Sequence, residues 1–153
     1  MPRSKFVPKA HILDLLSIIN PTSNIAVYVQ LENLIHFGIV SGKLVTGDQL
    51  PPARDLADRL GINMNTVSKA YRDLVVLGLL GTKRGQGVFI KDDVLEKCRF
   101  FVQEIVVQHI FEAAAEAKLA GYDKELLKEM IDKIYAQQVY PYGSIPRDIF
   151  PKA

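Results

Sequence analysis

The order of local structure signals between residues 46 and 91 constrains the fold of this chain more than any other feature. The stretch TGDQLPP is a turn followed by two prolines, which a helix cannot cross. A short amphipathic helix is predicted over residues 53–60, and Gly61 then supplies a tight turn in which a positive φ is expected. A second helix of roughly fourteen residues follows, with Asn63 as its N-cap and Gly78 at its end. Two short helices joined by a glycine turn predict a helix-turn-helix.

The next stretch, LLGTKRGQGVFIK at residues 79–91, changes to an extended pattern. Two β-prone runs flank a Gly-Gln-Gly turn, which predicts a β-hairpin, called the wing below, and the whole order is that of a winged helix-turn-helix. A basic tip with glycines lets the backbone approach a sugar-phosphate edge and lets an arginine reach a minor groove. We therefore expect the wing tip, residues 83–87, to contact DNA through Lys83, Arg84, Gly85, Gln86 and Gly87.

The second helix opens with short neutral hydrogen-bonding side chains where a soluble helix surface usually carries Glu and Lys. Its inner face is predicted to comprise Val67, Ala70, Tyr71, Leu74 and Leu77. The opposite, groove-facing side comprises Asn65, Ser68, Lys69 and Arg72. In a recognition helix the N-terminal turns enter the major groove, where Asn pairs with adenine and Ser or Thr bonds base edges or phosphates. Capping alone explains Asn63 equally well, but the whole run favours DNA contact.

Charge is distributed unevenly along the chain. Residues 51–91 hold seven Lys or Arg against three Asp, whereas residues 92–153 hold eight basic against eleven acidic residues. This contrast indicates that only the middle of the chain faces a polyanion. The single cysteine, Cys98, excludes an internal disulfide and favours a reducing, cytoplasmic setting. Neither a run of about 18 apolar residues nor a signal-peptide pattern is found, so no membrane partner is expected.

The flanking segments complete a mainly α fold. In the first 21 residues, HILDLLSII fits a short helix and an edge strand equally well. A helix is predicted over 25–41, a long helix from Asp93 to about Ala120 with Glu96 as its capping-box partner, and a last helix over 123–138. The predicted domains are an extension (1–21), a winged helix-turn-helix (22–91), a two-helix dimerisation domain (92–140) and an irregular tail (141–153).

The long helix is apolar on more than one face, which is more than one antiparallel helix can cover. A second copy of the chain is the simplest partner, and a two-fold dimer matches palindromic DNA. Packing back onto the winged domain of the same chain is the alternative. The predicted dimer contacts are Leu95, Cys98, Phe101, Val102, Ile105, Ile110 and Phe111.

Residues 27–90 resemble the GntR family of bacterial transcriptional regulators. The features that carry this resemblance include Tyr28 with Gln30, Gly47, Leu50-Pro51, Arg54, Leu56-Ala57, Asn65-Thr66-Val67, Ala70-Tyr71, Gly78-Leu79, Arg84, Gly85 and Gly87. The chain departs from the family pattern at Pro52, where Ser is common, and at Val75-Val76, where an acidic residue is usual. The resemblance implies DNA contacts at Arg54, Asn63, Met64, Asn65, Thr66, Ser68, Arg84 and Gly85. The short helical remainder is similar to the YtrA-type subgroup, which implies a dimeric repressor, often of a transporter operon.

An enzyme is not indicated. His11, His36 and His109 are scattered without metal-ligand spacing, and Gly-Gln-Gly lacks the Lys-Ser/Thr of a phosphate loop, so no metal or cofactor is predicted. Cys98 is interpreted as a packing residue among apolar neighbours, and a redox-sensing thiol is the alternative. Tyr140 and Tyr142 fit an unknown effector pocket and a dimer contact equally well. The sequence thus predicts a homodimeric DNA-binding repressor of a palindromic operator. The alternative is a protein-interaction adaptor, whose exposed helix face would be acidic or apolar.

Overall fold

The structure is a computed structural model that describes Val7 and residues 9–152. The described chain forms six α-helices and one two-stranded antiparallel hairpin. The helices are α1 (Ala10–Leu16), α2 (Val27–Ser41), α3 (Ala53–Leu60), α4 (Met64–Val76), α5 (Leu95–Leu119) and α6 (Lys124–Tyr135), and the strands are β1 (Leu80–Lys83) and β2 (Gly87–Ile90). Two compact units are present, the first ending at Val102 and the second beginning at Gln103. The predicted fold class, mainly α with a winged helix-turn-helix, is confirmed.

The core of the first unit forms where α4 packs against both α2 and α3. Each helix contributes its apolar stripe, and the fully buried side chains include Leu31, Leu34, Ile35, Leu56, Val67, Ala70 and Leu74. The hydroxyl of Tyr71, also buried, donates a hydrogen bond of 2.7 Å to the carbonyl oxygen of Pro51, which joins α4 to the turn before α3. The orientation of the helix-turn-helix is therefore set by a shared core.

The first helix, left undecided by the sequence, is α1, and it packs against α2. Ile12 and Leu16 are fully buried, so this part of the predicted extension adds to the core. Gly38 is the point of close approach, because a Cβ built there would lie 2.5 Å from Cδ2 of Leu15 and 2.9 Å from Cδ1 of Leu44. Residues 1–6 and 8 of the predicted extension lie outside the described residues.

The wing forms as predicted, with Leu80 opposite Ile90 and Lys83 opposite Gly87. The segment before α3 runs along the other edge of β2. Its backbone bonds to β2 are Gly47 N–H to Ile90 O (2.9 Å), Ile90 N–H to Asp48 O (2.9 Å) and Leu50 N–H to Val88 O (2.8 Å). The wing is therefore fastened to the turn that precedes the helix-turn-helix.

Two predicted helix boundaries and one residue of a predicted helix face are wrong. The long helix begins at Leu95 and not at Asp93, whose backbone is left-handed at φ 56°. Leu77 was placed on the inner face of α4, but the helix ends at Val76 and Leu77 is 46% exposed. The last helix ends at Tyr135, earlier than predicted, and none of its residues is buried.

The second unit has almost no core of its own. α6 packs against a short 3-10 turn in the tail, Arg147–Ile149, and Ile149 is the one buried side chain among the described residues of this unit. The apolar side chains of Ile131 and Tyr135 on α6 are exposed, Tyr135 at 87%. The rest of the tail is irregular as predicted, and Ala153 lies outside the described residues. A single chain does not bury the apolar residues of this unit.

Candidate nucleic-acid interface

The turn between α3 and α4 has the geometry that the sequence predicts. Gly61 adopts φ 66°, and the next residue, Ile62, donates its N–H to the carbonyl oxygen of Ala57 at 3.0 Å. Asn63 is the N-cap of α4, because its Oδ1 accepts a hydrogen bond of 2.7 Å from the backbone N–H of Asn65. The side-chain oxygen of Asn63 is therefore already used in capping, whereas the side chain of Asn65 makes no hydrogen bond within the described chain.

The two faces of α4 separate as predicted, apart from Leu77. Val67, Ala70, Tyr71 and Leu74 are buried, whereas Asn65 and Arg72 are exposed and Ser68 is half-buried. At the start of the helix Met64 is exposed and Thr66 is half-buried. The fold thus brings the predicted groove-facing residues to one surface.

Lys69 lies on this surface, but its ammonium group is already engaged. Its Nζ is 3.1 Å from Oδ2 of Asp73, one turn along α4, and 4.6 Å from the ring centroid of Tyr28 on α2. An ammonium over an aromatic face is attracted by the ring quadrupole, so the two partners together draw Lys69 toward α2. The spacing of Lys69 and Asp73 could have been read from the sequence. The contact with Tyr28 could not.

Glu32 on α2 lies beside Asp73 and Lys69 and could not be singled out from the sequence. Its Oε1 is buried and meets no hydrogen-bond donor in the described part of the chain. Burial, and next the neighbouring carboxyl of Asp73, raise the pKa of Glu32 to about 7, while a hydrogen bond from Glu32 lowers the pKa of Asp73. With a pKa of about 7, the carboxyl of Glu32 on α2 is therefore partly protonated near neutral pH, beside Asp73 on α4.

At the wing tip the chain reverses through glycines. Gly85 and Gly87 have φ 78° and 74°, and the N–H of Gln86 donates to the carbonyl oxygen of Lys83 at 2.9 Å. All five residues of the wing tip are exposed, and Nζ of Lys83 lies 5.2 Å from the ring centroid of Phe89. Gln49, which the sequence analysis did not single out, donates from its Nε2 to the carbonyl oxygen of Gln86.

Residues 27–90 of the chain, from α2 to the end of β2, match the bacterial regulatory proteins of the gntR family. Over 118 residues, the chain is 31% identical to the HTH-type transcriptional repressor YtrA of Bacillus subtilis, covering 77% of this chain and 91% of that protein. This chain belongs to the GntR family. The family and this relative are transcriptional regulators rather than enzymes, as the sequence analysis predicts.

Other transcriptional regulators extend the likeness beyond the winged domain. The uncharacterized regulator YdeF of Bacillus subtilis is 30% identical over 129 residues, which are 82% of this chain but only 28% of YdeF. A solved GntR family transcriptional regulator from Listeria monocytogenes superposes with a TM-score of 0.59 at 27% identity, covering 76% of this chain and 99% of that one. The chain therefore matches nearly the full length of some transcriptional regulators and a small part of YdeF.

The start of α3 shows the effect of one departure from the GntR pattern. Pro52 occupies the N-cap position and makes no side-chain capping bond, and Asp55 is the acidic residue of the first turn. Without the hydroxyl of a serine, this helix start has one hydrogen-bond donor fewer to offer a phosphate. Arg54 is exposed on the same turn, so its guanidinium is available to bind there.

The predicted dimer contacts of this GntR chain divide into two sets. Leu95, Ile110 and Phe111 are exposed, the last two at 60% and 68%, while Phe101, Val102 and Ile105 are half-buried. The side chain of Cys98 is fully buried within the single chain, which agrees with its interpretation as a packing residue; its assignment as a dimer contact stays a prediction. Burial raises the pKa of its thiol to about 11, which argues against a redox-sensing thiolate.

The three histidines occupy unrelated positions. His36 is buried in the first unit, where its ring stacks on Phe101 with centroids 3.8 Å apart, and burial lowers its pKa. His11 and His109 are exposed on other helices. Within the described residues, no three His, Cys, Asp or Glu side chains are grouped so that they could hold a metal ion, and no helix is long and apolar enough to span a membrane.

Proposed function

We propose that this chain is a sequence-specific DNA-binding repressor that reads its operator with α4 and the wing. The observation that carries the proposal is the composition of the exposed side of α4. Asn65, Ser68 and Arg72 contribute no carboxylate to this surface, and the nearby carboxylate of Asp73 is paired with Lys69 at 3.1 Å. The start of the helix is capped by Asn63. Such a surface suits a major groove, where acidic side chains would be repelled by phosphates.

Each proposed contact has a chemical role. Asn65, whose side chain is exposed and uncommitted, is placed to pair in bidentate fashion with an adenine, and Met64, Thr66 and Ser68 to contact neighbouring base edges or phosphates. Lys83 and Arg84 bring positive charge to a glycine-rich tip that can approach the sugar-phosphate edge and the minor groove. Arg54 on α3 would hold a phosphate and set the register of the helix-turn-helix.

The proposed active form is a homodimer held by the region after the wing, residues 92–140. Val106, Val107, Ile110 and Phe111 lie on one side of α5 at helical spacing and are all exposed in the single chain. A second copy covering this side would give the second unit the core that it lacks. Two-fold symmetry in turn predicts a palindromic operator.

The proposed biological role follows from the relatives. The named repressor YtrA is matched over 91% of its length, which supports repression for this chain. Control of a transporter operon rests on the resemblance to the YtrA-type subgroup. The adaptor alternative has no support from the surface of α4, which is neither acidic nor apolar along Asn65, Ser68 and Arg72.

Selection of bound duplexes from a random pool tests the proposal. We expect an enriched inverted repeat whose affinity falls about 10³- to 10⁵-fold between 50 and 200 mM salt, as for roughly six to ten neutralised phosphates. Asn65→Ala should lose about 1–3 kcal/mol of discrimination at one base pair of each half-site, measured by competition with single-base variants. Asn24→Ala, an exposed asparagine outside α4 and the wing, is the matched control and should keep the preference. Equal, salt-insensitive binding to all duplexes would refute the proposal.

A further inference from the structure

We infer that Gln49 is a positioning residue for the wing, holding the carbonyl of Gln86 so that Arg84 is presented to DNA in one orientation. Gln49 lies outside the helix-turn-helix and outside the wing, in the segment that runs along β2. The inference rests on the proposed DNA-binding function and concerns the same site.

The first observation is the bond itself. Nε2 of Gln49 donates to the carbonyl oxygen of Gln86, which is 37 positions away in the chain. The N–H of Gln86 is already bonded to the carbonyl oxygen of Lys83 at 2.9 Å. Both backbone polar groups of Gln86 are therefore engaged, and Arg84 lies inside the short loop that they close. Within the described chain, no other hydrogen bond joins the wing tip to a residue outside residues 79–91.

The second observation is that hydrogen bonds to β2 hold the backbone around Gln49 in place. Its backbone forms an antiparallel bridge with Phe89, and the flanking bonds from Leu50 N–H to Val88 O and from Ile90 N–H to Asp48 O are 2.8 and 2.9 Å long. Asp48 is itself buried, and its carboxylate accepts from Lys9 Nζ at 2.6 Å and from a backbone N–H at 2.9 Å. The side chain of Gln49 thus connects an anchored backbone to an exposed turn.

The third observation concerns Gly87, at the end of the turn. Its φ of 74° already disfavours a side chain, and a Cβ built there would lie 3.3 Å from Nε2 of Gln49. That distance is tighter than ordinary van der Waals contact, so a larger residue would press on the amide that reaches Gln86. Gly87 therefore serves the backbone turn and leaves room for the amide of Gln49.

These contacts imply a preorganised wing tip. All of its residues are exposed, so packing does not fix the turn, and an unrestrained loop would have to be ordered when DNA binds. The bond from Gln49 supplies this order in the free protein. Its benefit should appear in affinity only through the group that the turn carries, the guanidinium of Arg84.

A double-mutant cycle on the selected operator tests this link. Gln49→Met keeps the length of the side chain and removes the donor, and we expect Kd to rise about 3- to 10-fold, as for loss of one hydrogen bond. In an Arg84→Ala background the same substitution should change Kd by less than about 2-fold. Independent, multiplicative losses would overturn the inference, and so would an unchanged Kd for Gln49→Met alongside a weakened Arg84→Ala.

A second measurement needs no DNA. Trypsin cuts after Lys83 and Arg84, so the rate of cleavage at the wing tip, mapped by mass spectrometry, reports how often the turn opens. Gln49→Met should raise this rate several-fold while cleavage at other sites and the unfolding midpoint stay unchanged. An unchanged rate at residues 83 and 84 would overturn the inference even if DNA binding is confirmed. If the cleavage rate rose but no operator could be selected, the role of Gln49 in ordering the turn would be supported and the proposed DNA-binding function would be refuted.

Discussion

Glu32 is a single side chain whose pKa depends on its burial and on a residue of another helix. It stands on α2 beside Asp73 of α4, and burial followed by the second carboxyl raises its pKa from the ordinary 4.5 to about 7. A folded-state pKa above the unfolded value means that folding binds the proton more tightly. The stability that Glu32 contributes is therefore complete below pH 4.5 and is lost as the pH rises through about 7.

Glu32→Gln should reverse this loss. The amide has the same shape and no charge, so the variant should match the parent near pH 5 and exceed its free energy of unfolding by about 1 kcal/mol at pH 8.5, after allowance for solvent screening. Urea unfolding at the two pH values measures the difference. The buried His36, whose pKa is lowered, is present in both proteins, so its contribution to the pH dependence cancels in the difference. Asp14→Asn, on the exposed side of α1, serves as the control. A variant whose advantage did not grow with pH would show that folding does not raise the pKa of Glu32.

Residues whose roles depend on sequence neighbours were predictable. The cap at Asn63, the left-handed turn at Gly61 and the exposed side of α4 follow from spacing and residue type alone. Glu32 and Gln49 could not be found this way, because their partners lie 41 and 37 positions away and only the packed fold brings them together. The role of Cys98 could not be fixed from the sequence for a related reason: its apolar helical position suits a dimer interface and the core of one chain equally well.

For the helices and strands, the kind of element was easier to predict from the sequence than the residues at which it begins and ends. Gly42 and Gly121 follow the C-terminal ends of α2 and α5 and adopt positive φ of 79° and 83°, as glycines at helix ends commonly do. The start of α5 was missed because Asp93, a good cap by composition, takes a left-handed conformation before Leu95 begins the helix. The segment of α1 was predicted equally well as a helix or as an edge strand, because a short apolar run has no clear period. In the structure it is a helix that packs closely against Gly38 of α2.

Gly38→Ala tests how closely α1 and α2 approach. Alanine favours the helix by about 1 kcal/mol, but the new methyl group would overlap the buried side chains of Leu15 and Leu44, which costs about 1–3 kcal/mol or more. We expect a net loss of about 1–2 kcal/mol in urea unfolding. Gly143→Ala is the matched control, since its nearest neighbour would be at an ordinary 3.5 Å. If Gly38→Ala were as stable as the parent, α1 would not pack where the structure has it.

Over the whole molecule, the sequence predicted a winged helix-turn-helix followed by helices that need a partner. The first part is confirmed by the GntR relatives and by the described core. The second part stays a prediction, because an apolar face shows that something must cover it without showing what does. Among the described residues of the second unit, Ile149 is the one buried side chain, and α5, α6 and the tail contribute only half-buried ones.

Ile110→Glu tests the proposed dimer. Ile110 is 60% exposed in one chain, so a charge there should leave the fold of the single chain intact. In a dimer built on this side of α5 the same charge would be buried without a partner, at a cost of several kcal/mol. Light scattering at micromolar concentration should then report a dimer for the parent and a monomer for the variant. The neighbouring substitution His109→Glu, at an exposed polar position, should remain dimeric, and a dimeric Ile110→Glu would place the interface elsewhere.

The burial of Cys98 makes this protein convenient for labelling. It is the single cysteine in the sequence, and its buried thiol, with a pKa near 11, should react slowly with maleimides in the native state. A substitution such as Thr82→Cys on β1 would then introduce the one fast-reacting sulfur, and a dye attached there would report on the hairpin without first removing the native residue.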